Sequence, residues 1–301
     1  MNKDSIIFVS GEDTLEGISL IQFLIDNGYS HVITESTKED LEQTFGTEKP
    51  EYVFLLGEIS GGIQANIERP ATLMTRNLNK MSTIIDLSLK HNVKKLLFLA
   101  SSCVYPRIFN KKLCPEMLMT GPLEPTNSGY ATAKLAGIEL ISSIRKEFNK
   151  DFISSISANV FGPFDDFESE DAHVISSLIR RVKSVKDNNK KEFLVWGTGE
   201  PIRDFIFSED LADGLVFLMK NYNSDIPINI STGQGSSIKA LVEKVTQVAD
   251  YAGQIKFDTT KPDGMPYKVL DNDEISRLGW APKTKFNDAL KQTYEWYIDN
   301  S

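Results

Sequence analysis

Through its first 160 residues the chain alternates short apolar runs with amphipathic stretches, which restricts it to repeated strand–helix units closing a parallel sheet. Ile6 to Val9 reads as a first buried strand. Gly11 follows it, and then a helix whose apolar positions Ile18, Ile21, Phe23, Leu24 and Ile25 fit one face, ending at Asn27-Gly28. His31 to Thr34, Tyr52 to Leu56 and Leu96 to Ala100 read as the second to fourth strands. Leu78 to His91, with Met81, Ile84, Ile85 and Leu87 in step, reads as a covering helix. The expected fold is α/β with a doubly wound parallel sheet. Such sheets bind ligands beyond the carboxyl ends of their strands, so chemistry is expected from Ser101 onward.

A long amphipathic pattern occupies Tyr130 to Phe148, and Ile153 to Phe161 resumes a strand. Beyond Gly162-Pro163 the periodicity becomes irregular: a polar loop from Asp165 to Asp171, a helix at about 173–186 and a lysine-rich turn from Lys186 to Lys191. Asp204 to Phe207 and Ile228 to Ile230 look like later strands that return to the sheet. This order predicts a dinucleotide-binding region over 1–163, with about 193–232 returning to it, and a smaller, interleaved substrate-binding region mainly within 164–301.

Composition narrows the function classes. The 33 basic residues are outnumbered by 42 acidic ones, for a formal net charge of −9, and no long Lys/Arg cluster occurs, which argues against a nucleic-acid partner. The longest apolar stretch is only a handful of residues, far below the roughly 18–20 that a bilayer span needs. The N-terminus lacks the pattern of a secretory signal, so a cytoplasmic protein is expected. Cys103 and Cys114 are too few for a disulfide framework and no metal-ligand spacing accompanies them.

Tyr130 and Lys134 are four apart at the start of a predicted helix and share a face, where a lysine ammonium favours the phenolate of a neighbouring tyrosine. Ser101 precedes them at the mouth of the fourth strand. This Ser, Tyr-x-x-x-Lys arrangement resembles the extended short-chain dehydrogenase/reductases of the Rossmann type, and among them the GDP-L-fucose synthases. The resemblance is carried by Leu97 to Pro106, Gly121 to Asn127, Gly129 to Lys134, Asn159 to Pro163, His173-Val174-Ile175, Val195 to Gly199, Arg203-Asp204-Phe205 and Lys261 to Gly264.

The resemblance implies an epimerase/reductase acting on a GDP-4-keto-6-deoxy sugar, commonly as a homodimer through helices that here span about 78–91 and 130–148. It assigns Ser101 to the substrate oxygen at C4, Tyr130 to its proton, and Lys134 to the nicotinamide ribose and the tyrosine. Cys103 and His173 fall where such enzymes invert C3 and C5. A thiolate can remove a proton beside a ketone and a histidine can return one to the opposite face. Asn159 resembles a residue near nicotinamide and sugar, while Arg181, Trp196, Arg203 and Lys268 resemble residues that contact the GDP or sugar.

The glycine-rich turn departs from the family. It reads Gly11-Glu12-Asp13-Thr14-Leu15-Glu16-Gly17, with Thr14 in place of the middle glycine and with Glu12 and Asp13 beside an anionic ligand. Gly11, Thr14, Leu15 and Gly17 are nevertheless the expected cofactor contacts. Glu35, at the end of the second strand, stands where an acid bonds the ribose of NAD and repels the 2′-phosphate of NADP. NADP(H) follows from the resemblance and NAD(H) from Glu35, with Lys38 keeping the first open and Glu58 adding another acid near the cofactor path. Two alternatives also stand: a C4-only reductase of another GDP-4-keto sugar such as a heptose, and a non-catalytic nucleotide-sugar-binding protein on the same scaffold.

Overall fold

Strand β1 (Ile6–Val9) is apolar throughout because it is buried on both faces: Ile7, Phe8 and Val9 have no exposed surface. The computed structural model describes residues 1–35, 41–57, 63–107, 111–169, 172–261 and 263–301. Helix α1 (Leu15–Asp26) begins at Thr14, whose hydroxyl caps it, and ends at Asn27, with Gly28 at φ 75° turning the chain away. Its core face is Leu15, Leu20 and Leu24; Ile25, expected on that face, is 55% exposed.

The remaining elements of the first half are β2 (His31–Thr34), α2 (Leu41–Glu48), β3 (Tyr52–Leu55), α3 (Ile63–Glu68), α4 (Pro70–Lys90), β4 (Lys95–Ser101), α5 (Ser128–Phe148) and β5 (Asp151–Ser157). Helix α4 starts a full two turns before the expected Leu78, since Pro70 suits a first turn and Leu73 and Asn77 extend the buried stripe of Met81, Ile84 and Ile85.

The second half runs β6 (Asn159–Phe161), α6 (Val174–Asp187), β7 (Glu192–Trp196), β8 (Ile202–Phe207), α7 (Ser208–Asn221), β9 (Ile228–Ile230), β10 (Gly235–Ser237), α8 (Ile238–Val248), β11 (Gln254–Asp258), β12 (Tyr267–Lys268), α9 (Asp273–Arg277) and α10 (Phe286–Asn300).

Six strands form one parallel sheet in the order β2-β1-β3-β4-β5-β9, so the doubly wound α/β fold expected from the sequence is present. Helices α4 and α5 pack on one face, α1 and α7 on the other. The strand order reverses between β1 and β3, and a crevice opens at such a point beyond the strand ends.

Two expectations are corrected. The single strand expected over Ile153 to Phe161 is broken at Ala158: β5 stays in the large sheet, while β6 pairs with β8 elsewhere. Of the two strands expected to return, Ile228–Ile230 joins the sheet beside β5, whereas Asp204 to Phe207 belongs to β8 in a small sheet with β6, β10 and β12. Both β8 and β9 are short runs of mixed apolar and polar residues, so local pattern cannot tell which sheet each joins. A second core, distinct from that of the large sheet, gathers Phe161, Phe167, Ile179, Phe193, Phe205, Leu241 and Leu290 among others.

Asp204 fastens the small sheet to its surroundings. Only 1% exposed, its carboxylate accepts hydrogen bonds from Thr232 Oγ1 (2.6 Å), the Gly233 amide (3.2 Å) and the Leu270 amide (3.3 Å). Burial nevertheless pushes its pKa up from 3.8 to about 6, the hydrogen bonds opposing that rise. Because the folded value lies above the unfolded one, this group's contribution to stability is largest at low pH and declines as pH rises from about 4 to 6. Asp204→Asn abolishes that decline. Relative to the variant, the native chain should lose ~2 kcal/mol of unfolding free energy between about pH 4.5 and about pH 7 in urea titrations.

Candidate active site

A cleft of about 420 Å³ opens at the carboxyl end of the large sheet and is bounded on its far side by the second core. Into it the structure brings Ser101 from the end of β4, Cys103 from the 3₁₀ turn after it, Tyr130 from the first turn of α5, Asn159 from β6, His173 from the start of α6, and Thr14 and Leu15 from the start of α1. Lys134 lies one turn beyond Tyr130 and is buried, its Nζ donating to the Leu99 carbonyl (3.1 Å) on β4. Asn159 donates from Nδ2 to the Asp204 carbonyl (2.9 Å), so the node that joins the small sheet also orients this amide.

Cys103 sits among donors. The Asn127 amide donates to Sγ (3.1 Å), and the Lys268 ammonium is 3.8 Å from it. Lys268 on β12 is in register with Arg203 on β8, so two of the expected GDP or sugar contacts stand behind the thiol. Desolvation lowers the pKa of the Lys268 ammonium and the Arg203 charge adds to this, while the Cys103 thiolate works in the opposite direction. Both donors are directed at the sulfur. By contrast, burial and the neighbouring Glu116 push the Cys114 thiol up.

His173 caps no amide of α6 with its side chain; its Nδ1 lies 3.1 Å from Oδ1 of Asp165, and Asp165 Oδ2 accepts from the Ser176 hydroxyl. The Asp165 carboxylate is 3% exposed, whereas the His173 ring is half exposed to the cleft.

At the switch point the glycine turn is built as tightly as backbone permits. A Cβ at Gly17 would fall 1.9 Å from the Gly11 carbonyl oxygen, and one at Gly11, whose φ is 75°, would fall 2.1 Å from the Gly57 Cα at the end of β3. Thr14, by contrast, needs no glycine: its backbone is extended (φ −97°), and its hydroxyl donates to the Gly11 carbonyl (2.8 Å) while accepting from the Gly17 amide (3.2 Å). The Thr14 side chain serves as the helix cap.

The Glu12 carboxylate turns away from the cleft to accept from the Glu35 amide (2.8 Å), while Asp13 and Glu16 do line it. Glu35 accepts from the Gly11 amide (2.9 Å) and pairs with Lys80 of α4 (2.8 Å). Lys38 and Glu58 lie outside the described residues.

Arg181 and Trp196 do not line the cleft. Arg181 donates to the Leu194 carbonyl and lies over the Phe193 ring (5.5 Å), with its pKa lowered by desolvation. Trp196 is 64% exposed at the end of β7, with Lys261 5.4 Å over its ring. Sequence reading missed Asn127, Asp165 and Lys80. Asn127 lay inside a quoted segment, but Asp165 is one of many acids in a polar loop and Lys80 looks like any cation on a helix. Among the described residues no three potential ligands cluster to hold a metal, and no helix is long and apolar enough to cross a membrane.

The arrangement brings a thiol and an imidazole into one cleft with a Ser-Tyr-Lys set beside a dinucleotide-type turn. Comparison with known proteins agrees with it. The model of the NAD dependent epimerase/dehydratase family matches residues 14–231. The GDP-L-fucose synthase 1 of Arabidopsis thaliana is 40% identical over 99% of this chain and 95% of its own length. That of Sinorhizobium fredii is 39% identical over 98% and 96%. Among solved structures, a GDP-6-OMe-4-keto-L-xylo-heptose reductase from C. jejuni superposes with a TM-score of 0.93 at 28% identity, covering 100% of this chain and 99% of that one. A GDP-L-fucose synthetase from Naegleria fowleri bound to NADP gives 0.89 at 28%, covering 100% and 94%. The chain belongs to the NAD dependent epimerase/dehydratase family and, within it, to the GDP-L-fucose synthases.

The residues at the switch point fit a dinucleotide. The first turn of α1 borders the cleft, the glycines allow the turn to close against β3, and Glu35 is fixed at the end of β2 where an adenosine ribose would lie.

The two thiols should differ in reactivity. With iodoacetamide at about pH 7.5, peptide mass spectrometry should find Cys103 alkylated about ten-fold faster than Cys114, and Lys268→Met should narrow the gap.

Proposed function

We propose that the protein converts a GDP-4-keto-6-deoxymannose-type sugar to GDP-L-fucose or a close relative by C3/C5 epimerisation followed by NAD(P)H-dependent reduction at C4. The observation that carries this reading is the placement of Cys103 and His173 in one cleft with Ser101 and Tyr130. Protons on C3 and C5 are acidic because they flank the C4 ketone. The Cys103 thiolate, supported by Asn127 and Lys268, removes a proton from one face, and His173 returns one to the other. Inversion results with no change of oxidation state.

The reduced nicotinamide supplies the hydride for C4. Tyr130 then gives its phenolic proton to the C4 oxygen, Ser101 donates a hydrogen bond to the same oxygen, and the buried Lys134 ammonium stabilises the phenolate that remains. Arg203 and Lys268 bring positive charge to the GDP-sugar side, where arginine matches a pyrophosphate. Asn159 lines the cleft, and the resemblance adds Arg181 and Trp196, which lie outside it, as further GDP or sugar contacts. A cytoplasmic location and a homodimer contact through α4 and α5 are part of this reading and rest on the resemblance too.

For the cofactor, Glu35 and Glu12 favour NAD(H), since a 2′-phosphate would meet carboxylate there. The relationship to an NADP-bound homologue favours NADP(H). Fluorescence titration should give a lower Kd for NADH than for NADPH, and Glu35→Ser should move the ratio about ten-fold toward NADPH.

A second reading, a reductase acting only at C4, draws on the superposition with the heptose reductase. NMR of the protein in D₂O with GDP-4-keto-6-deoxymannose and NADH or NADPH separates the two. Deuterium should enter C3 and C5 of a C4-reduced product, with exchange lost by about 100-fold in Cys103→Ser and His173→Asn. Reduction without exchange would leave the C4-only reading.

A further inference from the structure

Asp165 has no assigned part in the chemistry above, yet its carboxylate is almost fully buried, which is costly unless the charge is put to use. Two groups face it. Nδ1 of His173 lies 3.1 Å from Oδ1, and the hydroxyl of Ser176, itself fully buried on the first turn of α6, donates to Oδ2. The loop that delivers it is held on both sides. Phe164 adopts φ 71°, a left-handed conformation unfavourable for an aromatic residue, and its ring packs on Trp296 at 5.0 Å between centroids. The next carboxylate, Asp166, is committed to the loop itself, accepting from the Glu168 and Ser169 amides (3.0 Å each).

His173 occupies the cap position of α6, where the partial positive charge of the helix N-terminus disfavours a protonated imidazole. Asp165 opposes that field. The titratable groups that share the cleft with the ring are Asp165 and Asp166 on the preceding loop, Asp13 and Glu16 at the start of α1, Tyr130 on α5 and Cys103 after β4. Only Asp165 is hydrogen-bonded to the ring among these. With Nδ1–H donating a hydrogen bond to Asp165, the nitrogen that exchanges a proton with substrate is Nε2.

We propose that Asp165, anchored by Ser176, is a positioning residue that holds His173 in its Nδ1–H tautomer and supports the protonated ring as the acid of C3/C5 epimerisation. This rests on the epimerase/reductase reading. No bond to Asp165 forms or breaks: the proton leaves Nε2 for the sugar carbon and is replaced from solvent.

The test uses the full chain, with Asp165→Asn, Asp165→Glu and Ser176→Ala beside wild type. The first readout needs no turnover: the pKa of His173, followed by ¹⁵N-edited NMR of the free protein. It should fall in Asp165→Asn, fall less in Ser176→Ala, and recover in part in Asp165→Glu. The second is the ratio of deuterium exchange at C3/C5 to reduction at C4, which should drop at least about ten-fold in Asp165→Asn. Ser176→Ala, a small buried change, keeps the test open should Asp165→Asn fold poorly. An unchanged His173 pKa and exchange ratio in folded variants would overturn the proposal. Reduction without any exchange by wild type would instead overturn the epimerase reading, and with it the acid role given to His173, while a shifted His173 pKa would still uphold the Asp165–His173 coupling.

Discussion

The backbones leaving β1 and β3 meet at Gly11 and Gly57 with no room for a side chain between them. Everything on the dinucleotide side follows from that approach. It places the first turn of α1 at the mouth of the switch-point crevice, it brings the Gly11 amide within reach of Glu35, and it draws Lys80 of α4 to the same spot. Thr14 then closes the turn as a helix cap in an extended conformation open to any residue. A glycine there would have added freedom without adding a contact.

The site is assembled from two cores that meet at β6 and β8, whose Val160 and Ile206 belong to the first and whose Phe161, Phe205 and Phe207 belong to the second. Ser101, Cys103 and Tyr130 stand on the large sheet and its helix, while His173 and Asp165 stand on the second core, and Asp204 ties the small sheet to the segments that carry Thr232 and Leu270. A thiol and an imidazole delivered to one cleft from different elements suit the proposed reaction, which takes a proton from one face of a sugar and delivers one to the other. Lys268 and Arg203, adjacent across β12 and β8, are the positive counterpart behind the thiol.

Much of this was legible in the chain. The apolar runs at Ile6–Val9 and Leu96–Ala100 announced their strands because a sheet covered on both faces leaves no polar alternation to blur the pattern. Tyr130 and Lys134 were placed by helical spacing. Less legible was the start of α4, where polar residues between Leu73 and Leu78 interrupt the apolar rhythm, and the sheet to which Asp204–Phe207 belongs. Asp165 could not have been singled out, since its partner is eight residues away across a loop whose path no periodicity encodes.

The sequence by itself determined the class of fold, the candidate reactive groups and the departure of the glycine turn, because these depend on residue type and on local period. Tertiary structure alone decided that Thr14 caps α1, that Glu12 turns to the Glu35 amide, that Ile25 faces out, and that β6 leaves the main sheet at Ala158. It also decided the surroundings of each reactive atom: Asn127 and Lys268 at the Cys103 sulfur, Asp165 at the His173 ring. Those pairings are made across long stretches of chain or around irregular loops, where packing and the satisfaction of buried polar groups select partners that local propensity does not specify.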